Sequence, residues 1–175
     1  REEIEAVCSF IWRVYVGEGY ISSDDYPTKR LEDKYTPASI YFYACIGEKI
    51  VGAVRIILPS KLKLPTENAF NFLDFNMPKR VAEVSKLCVD KEYRRNGISL
   101  GLLKRIYHYS KTKNIDYWLI GTSAKLKRYF ETFFGIDVVS IPTGPPGKEH
   151  LAERGTAKNY FKKYSVKPYI LKIKS

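Results

Sequence analysis

The chain has 175 residues and a formal net charge of +11, from 30 Lys and Arg against 19 Asp and Glu. Hydrophobic residues make up 45% and aromatics 14%, enough for a real core, so global disorder is excluded and a single domain is expected over residues 1–175. Cys8, Cys45 and Cys88 are odd in number and widely spaced, and His108 and His150 are the only histidines; this argues against a disulfide framework, a metal site and a His-based triad.

In chain order, residues 2–18 read as a helix, with Ile4, Val7, Cys8, Ile11, Trp12 and Tyr15 at three- and four-residue steps. Residues 19–37 read as an exposed loop containing Tyr26-Pro27 and Thr36-Pro37. Strands over 38–46 and 49–58 follow, joined at Gly47-Glu48-Lys49 as a hairpin. Residues 59–80 are irregular, broken by Pro59, Pro65 and Pro78. A strand over 81–89 leads to a helix over about 97–113, whose apolar side carries Ile98, Leu102, Leu103, Ile106, Tyr107 and Tyr109. Ile115–Ile120 reads as a strand, 123–134 as a short helix burying Leu126, Tyr129, Phe130 and Phe133, and Ile136–Ile141 as another strand. A Pro- and Gly-rich loop at 142–147, a helix around 150–163 and a strand over 166–173 complete the chain. This order predicts a mixed α/β sheet with helices on both faces.

The charge is uneven. Residues 1–33 hold four basic and eight acidic side chains, 79–113 hold ten and three, and 148–175 hold eight and two. Such a field favours acidic partners: nucleic acid, an anionic membrane or an acidic protein. No signal peptide is visible, and no apolar run nears the roughly 20 residues that span a bilayer. A transmembrane segment is not expected, and the unpaired cysteines suit a reducing, cytoplasmic setting. The chain opens on Arg1, which suggests that a short native start is missing.

The most informative stretch is Val81–Val89 with the Asp90–Ser99 segment after it. A strand enters a basic turn, Arg94-Arg95-Asn96-Gly97, and the turn opens a helix. Free N–H groups and the positive helix end converge there, which makes an anion site. Glu83 and Ser85, two apart, share one face of the strand. A phosphate cradle beside a carboxylate suggests group transfer from a phosphate-bearing donor.

With these elements, Arg94-Arg95-Asn96-Gly97-Ile98-Ser99 resembles the pyrophosphate loop of the GNAT acyltransferases, with Ser99 where Gly or Ala is usual. Phe133-Phe134-Gly135-Ile136 is similar to a later stretch of that superfamily. Glu83-Val84-Ser85-Lys86-Leu87-Cys88-Val89 resembles a signature shared by acyl-homoserine-lactone synthases and long-chain N-acyl amino acid synthases. Val14-Tyr15, Glu18-Gly19-Tyr20, Asp33-Lys34-Tyr35 with Ser39–Phe42, and Gly52–Pro59 resemble further elements of both groups, in the expected order over about residues 10–136. Three departures stand out. Lys86 replaces Arg, Tyr20 replaces Trp, and Thr36 replaces a second Asp that the lactone synthases use around their amino substrate. They favour N-acyl amino acid synthesis over lactone synthesis.

The resemblance implies the GNAT fold and attack of an amine on an acyl thioester carried by the phosphopantetheine of an acyl carrier protein, a co-substrate, with no tightly bound cofactor or metal. Glu83 is then the candidate base that deprotonates the ammonium, directly or through water; the other reading is a structural carboxylate bonded to Lys86 or Arg55. Ser85 and the backbone N–H groups around Leu87 to Val89 are candidate oxyanion donors if this strand splays from its neighbour. Cys88, Arg94, Arg95, Gly97 and Ser99 are candidates for the phosphopantetheine arm. Trp12, Tyr15, Tyr20, Asp33, Arg55 and Lys86 are candidates for the amino acid. Arg55, alone among Val54, Ile56 and Ile57, requires a carboxylate partner: the substrate's, Asp33 or Glu83. Phe70, Phe72, Phe75, Trp118 and Phe130 are candidates for an acyl-chain pocket or for ordinary core. Lys91, Lys104, Arg105, Lys111 and Lys113 are candidate rim contacts for an acidic carrier protein.

The expected enzyme joins a long-chain acyl group to the α-amino group of an amino acid, with tyrosine a guess from the 14 Tyr of the chain, and yields a membrane-active product. An acyl-homoserine-lactone synthase and an acetyl-CoA-dependent N-acetyltransferase are the alternatives. A nucleic-acid-binding module is disfavoured because no reader motif accompanies the basic charge. A carrier-protein docking domain without catalysis is the other non-enzymatic reading.

Overall fold

The structure, a computed structural model, describes residues 1–154 and 158–173. Its elements are α1 (Glu2–Gly17), β1 (Ser39–Ile46), β2 (Lys49–Ile57), α2 (Pro65–Ala69), β3 (Val81–Val89), α3 (Ile98–Thr112), β4 (Tyr117–Thr122), α4 (Ala124–Phe134), β5 (Val138–Ser140), α5 (Lys148–Arg154), α6 (Lys158–Tyr164) and β6 (Lys167–Lys172). Six strands form a mixed sheet in the order β1-β2-β3-β4-β6-β5. The chain divides into two compact units, one of residues 1–57 and 84–109, the other of 58–83 and 110–175.

In the first unit, α1 begins with Glu2, Glu3 and Glu5 in its first turn, which suits the helix dipole. It buries Val7, Cys8, Phe10 and Ile11. β1 and β2 form the expected antiparallel hairpin, paired from Ser39–Ile57 to Ile46–Lys49, with Gly47 at φ 57° in the turn. β2 is buried from Val51 to Ile57. Gly52 is small for a packing reason: a Cβ there would lie 2.6 Å from Ile98 Cγ2 and 3.2 Å from Leu102 Cδ1 of α3.

In the second unit, β3 begins a parallel ladder with β4 that covers three pairs, Val81–Tyr117, Ala82–Trp118 and Glu83–Leu119. β4 pairs antiparallel with β6 along its whole length, and β6 with β5. Trp118, Phe130, Leu119 and Leu171 fill the core. Trp118 satisfies its indole by donating to Ser110 Oγ at 2.9 Å. Ser123 caps α4 by accepting from Leu126 N–H, and Gly135 ends it at φ 56°.

Differences from the sequence reading have local causes. The strand expected from Ile115 starts at Tyr117, because Ile115 N–H bonds back to Ser110 and Asp116 N–H to Arg80. The strand expected over 136–141 is regular at 138–140, with single backbone hydrogen bonds joining Asp137 and Ile141 to β6. The irregular stretch 59–80 contains α2, started by Pro65 at its first turn and by Glu67, which accepts Leu64 N–H at 2.7 Å. The single helix expected around 150–163 runs across residues 155–157, which lie outside the described residues; α5 and α6 stand on either side. The Phe133 side chain also lies outside the described residues.

Candidate functional site

Four of the expected site residues meet in the first unit. Arg55 lies in the buried run of β2 and is 3% exposed. Its Nη1 donates to both oxygens of Asp33, at 2.8 and 2.6 Å, and its Nε donates to Ser85 Oγ at 2.9 Å. Lys86 Nζ donates to the Leu31 carbonyl at 2.8 Å and sits 3.1 Å from Asp33 Oδ2. Asp33 is fixed by its own loop: Oδ1 accepts Tyr35 N–H at 3.0 Å, and the Asp33 N–H donates to Thr36 Oγ1 at 3.0 Å. Of the partners the sequence left open for Arg55, Asp33 engages it with both oxygens.

Ser85 and Lys86 are sequence neighbours, and in a regular strand they would point to opposite faces. Lys86 has φ 55° in the middle of β3. That left-handed residue interrupts the alternation and lets both side chains serve one cluster. The position is not a glycine, so the sequence carried no signal for it.

Two cations share one carboxylate here. Burial pushes the Asp33 carboxyl up, but the Arg55 and Lys86 charges outweigh it and hold the group down at about 2. Burial pulls Lys86 down, the adjacent Arg55 adds to this, and Asp33 opposes both; the ammonium sits at about 8. The cluster therefore carries a surplus positive charge, with Asp33, 34% exposed at its side chain, as its most accessible member.

Glu83 is 3% exposed and its Oε2 accepts the Thr66 N–H of α2 at 2.8 Å. Thr66 is a partner the sequence did not indicate, since the contact joins residues 17 apart across an irregular stretch. Leu87 and Val89 are half-buried, and the residues after Glu83 lie outside the β3–β4 ladder. Burial pushes the Cys88 thiol up to about 12, so it stays protonated.

At the basic turn, Arg95 and Gly97 both take positive φ, 67° and 75°. Gly97 O accepts Gly101 N–H to open α3, and Ser99 lies half-buried in its first turn. Arg94 donates from Nε to the Val89 carbonyl at 3.1 Å and from Nη2 to Glu18 at 2.6 Å. Glu18, just past α1, belongs to one of the resembling elements, but its pairing with Arg94 is made only by the tertiary fold.

Tyr15 and Tyr20 meet edge-to-face with ring centroids 5.3 Å apart. Trp12 is half-buried, and its indole Nε1 is buried without a hydrogen-bond partner among the described residues. The five aromatics expected around an acyl chain fall into separate groups within the second unit. Trp118 and Phe130 are core, with centroids 6.4 Å apart; Phe70 packs on Phe161; Phe72 meets Phe75 at 6.0 Å.

With this geometry in place, comparison with known proteins gives the family. The model of the N-acyl amino acid synthase FeeM family matches residues 6–149. The chain belongs to that family. It is an acyltransferase. Its fold is similar to that of BjaI, a CoA-dependent acyl-homoserine lactone synthase solved with SAM and isopentyl-CoA, at 16% identity and a TM-score of 0.71, covering 99% of this chain and 78% of that one. The acyl-homoserine lactone synthase LasI is similar at 13% identity and 0.71, covering 100% and 85%. A GNAT-family acetyltransferase from Staphylococcus aureus Mu50 is similar at 21% and 0.58, covering 99% and 95%. No curated protein matches the chain. The GNAT-like fold of this FeeM-family chain is thus the expected one. Among the described residues, no helix is long and apolar enough to cross a membrane, and no group of three or more His, Cys, Asp and Glu is placed to hold a metal.

Proposed function

We propose that this FeeM-family acyltransferase transfers a long-chain acyl group from a phosphopantetheine thioester on an acyl carrier protein to the α-amino group of an amino acid, in the cytoplasm. The observation that carries the acceptor half is the surplus positive charge of the Asp33–Arg55–Lys86 cluster. A free amino acid brings a carboxylate that two neighbouring cations sharing one carboxylate attract. Trp12, Tyr15 and Tyr20 supply aromatic surface for the acceptor's side chain, with tyrosine the first to test.

In this reading Glu83, held in place by the Thr66 N–H, takes a proton from the acceptor's ammonium. The freed amine attacks the thioester carbonyl, the oxyanion is met by Ser85 and the amides of Leu87 to Val89, and the C–S bond breaks. The attacking nitrogen gives up its extra proton as the amide forms, and the leaving thiolate takes up a proton to depart as the free pantetheine thiol. Arg94, Arg95, Gly97 and Ser99 hold the arm's phosphate, with the α3 N-terminus adding its field. Arg94 is already aligned by Val89 and Glu18. Phe70, Phe72 and Phe75 take the acyl tail. Basic residues around the turn, Lys91 and Lys104 among them, meet the acidic carrier protein and raise the on-rate.

The test is product mass. The purified enzyme is given dodecanoyl carrier protein and each amino acid in turn. An N-acyl amino acid confirms the reading. Lactone and methylthioadenosine formed from S-adenosylmethionine, or turnover with acetyl-CoA alone, would overturn it; turnover with dodecanoyl-CoA but not the carrier protein would replace the donor only.

A further inference from the structure

The second unit carries a surface feature unrelated to the acyl-transfer residues. Ser60, Lys61, Leu62 and Lys63 form an exposed turn after β2, and Leu62 is 59% exposed at its tip. The turn is not loose. Ser60 Oγ accepts Leu62 N–H at 3.1 Å, Lys63 O accepts from Asn68 Nδ2 at 3.3 Å, and Leu64 is buried beneath. The outward leucine is therefore displayed by a braced loop, at the expense of its apolar surface in water.

Beside it lies a cavity of about 280 Å3. Leu62, Leu64 and Met77 give it apolar walls, while Lys61 and Lys63 give it positive charge; Arg80, also in its lining, is paired with Asp116. Glu67, the acidic member of its lining, is occupied as the cap of Leu64 N–H. A protruding leucine between two lysines, next to a cationic pocket, presents an anchor for the interface and a seat for a phosphate together.

We propose that the Ser60–Leu64 turn and its cavity dock this protein on an anionic phospholipid surface. Leu62 enters the acyl boundary, Lys61 and Lys63 meet the headgroup charge, and the cavity beside them receives one lipid phosphate. An exposed leucine flanked by two exposed lysines suits a deformable anionic bilayer, into which an apolar tip can sink while the charges stay at the headgroups.

The experiment is flotation of the full chain with phosphatidylglycerol–phosphatidylcholine vesicles and with pure phosphatidylcholine vesicles at physiological ionic strength. Binding to the first and not the second is expected. Each basic residue near an anionic surface is worth about a factor of five in partitioning, equivalent to about 1 kcal/mol, so Lys61→Glu with Lys63→Glu should weaken binding more than tenfold. Lys104→Glu with Arg105→Glu changes the net charge equally on an exposed helix face and should weaken it far less. Leu62→Glu should abolish flotation, and Leu62→Phe should keep it. All of these positions are exposed, so far-UV circular dichroism should be unchanged. Equal losses from the two double variants would assign the binding to bulk charge and overturn the proposal. So would an unaffected Leu62→Glu, or a Lys61/Lys63 defect confined to binding an acidic carrier protein.

Discussion

Asp33 is the sharpest test of the cluster. Asp33→Asn keeps the shape and removes the charge that holds Arg55 and Lys86 together. The fall of its carboxyl from 3.8 to about 2 corresponds to about 2.4 kcal/mol, each tenfold change in proton affinity being worth about 1.36 kcal/mol. With 34% of the side chain exposed, solvent screening reduces that to about 1–2 kcal/mol. Arg55, 3% exposed, then lacks its counter-ion, and breaking such a pair costs up to about 3–5 kcal/mol where both partners are buried. A loss of about 2–3 kcal/mol lies between these bounds. Because the folded-state value is depressed, the Asp33 contribution is present above 3.8 and disappears as pH falls through about 2. Urea unfolding at neutral pH should therefore show the full loss, and the difference between wild type and variant should close as the medium is acidified. Arg55→Met added to Asp33→Asn should recover part of the loss, since it removes the stranded cation. A single variant within about 0.5 kcal/mol of wild type at neutral pH, with an unchanged acid limb, would refute this account of what holds the loop at 31–36 in place.

Gly52→Ala should destabilise by about 1–3 kcal/mol, because its Cβ must displace Ile98 and Leu102 in a packed core; a thermal melt reads it directly. Glu83→Gln retains an oxygen for Thr66 N–H, so melting should hardly move while kcat falls by about 100-fold or more if Glu83 is the base; unchanged turnover removes that role. Lys86, lowered by burial from 10.5 to about 8, binds its proton more weakly folded than unfolded, so its contribution to stability rises with pH between those two values. Lys86→Met should flatten that alkaline rise in chemical denaturation, and a slope identical to wild type would contradict the assignment.

Much of the fold was legible because periodicity reports burial. α1, the β1–β2 hairpin and β3 fall within a residue of their expected limits, each marked by its apolar spacing or a turn glycine. α2 was hidden by its length of five residues and by the prolines around it. The shortened β4 start depends on Asn114 at φ 53° and on helix-end hydrogen bonds that a propensity argument does not contain. At the site, residue identity named Asp33, Arg55, Ser85 and Lys86, and the buried run around Arg55 required a carboxylate. The geometry that joins them needed the left-handed turn of Lys86 inside a strand, for which a lysine gives no warning. The pairings made by Glu18 and Thr66 were invisible for a simpler reason. These are ordinary residues at ordinary helix ends, given a role only by what the fold brings near.

The departures from the lactone-synthase pattern make joint sense as charge arithmetic. With Asp at both 33 and 36, the cations at 55 and 86 would be balanced, and a neutral cluster favours no anionic substrate. Thr36 removes one negative charge and takes over a local task, accepting Asp33 N–H and donating weakly to Asp33 Oδ1 at 3.4 Å. Two cations then face one carboxylate. S-adenosylmethionine carries a sulfonium as well as a carboxylate, so a surplus positive charge suits it less than a plain amino acid. Lys86 adds to the same bias: its single ammonium is committed to Leu31 O and Asp33, whereas an arginine would keep further donors for a ligand. Thr36→Asp should therefore shift the acceptor preference away from carboxylates without disturbing donor binding. Restored balance with an unaltered amino acid KM would place the acceptor's carboxylate elsewhere in the protein.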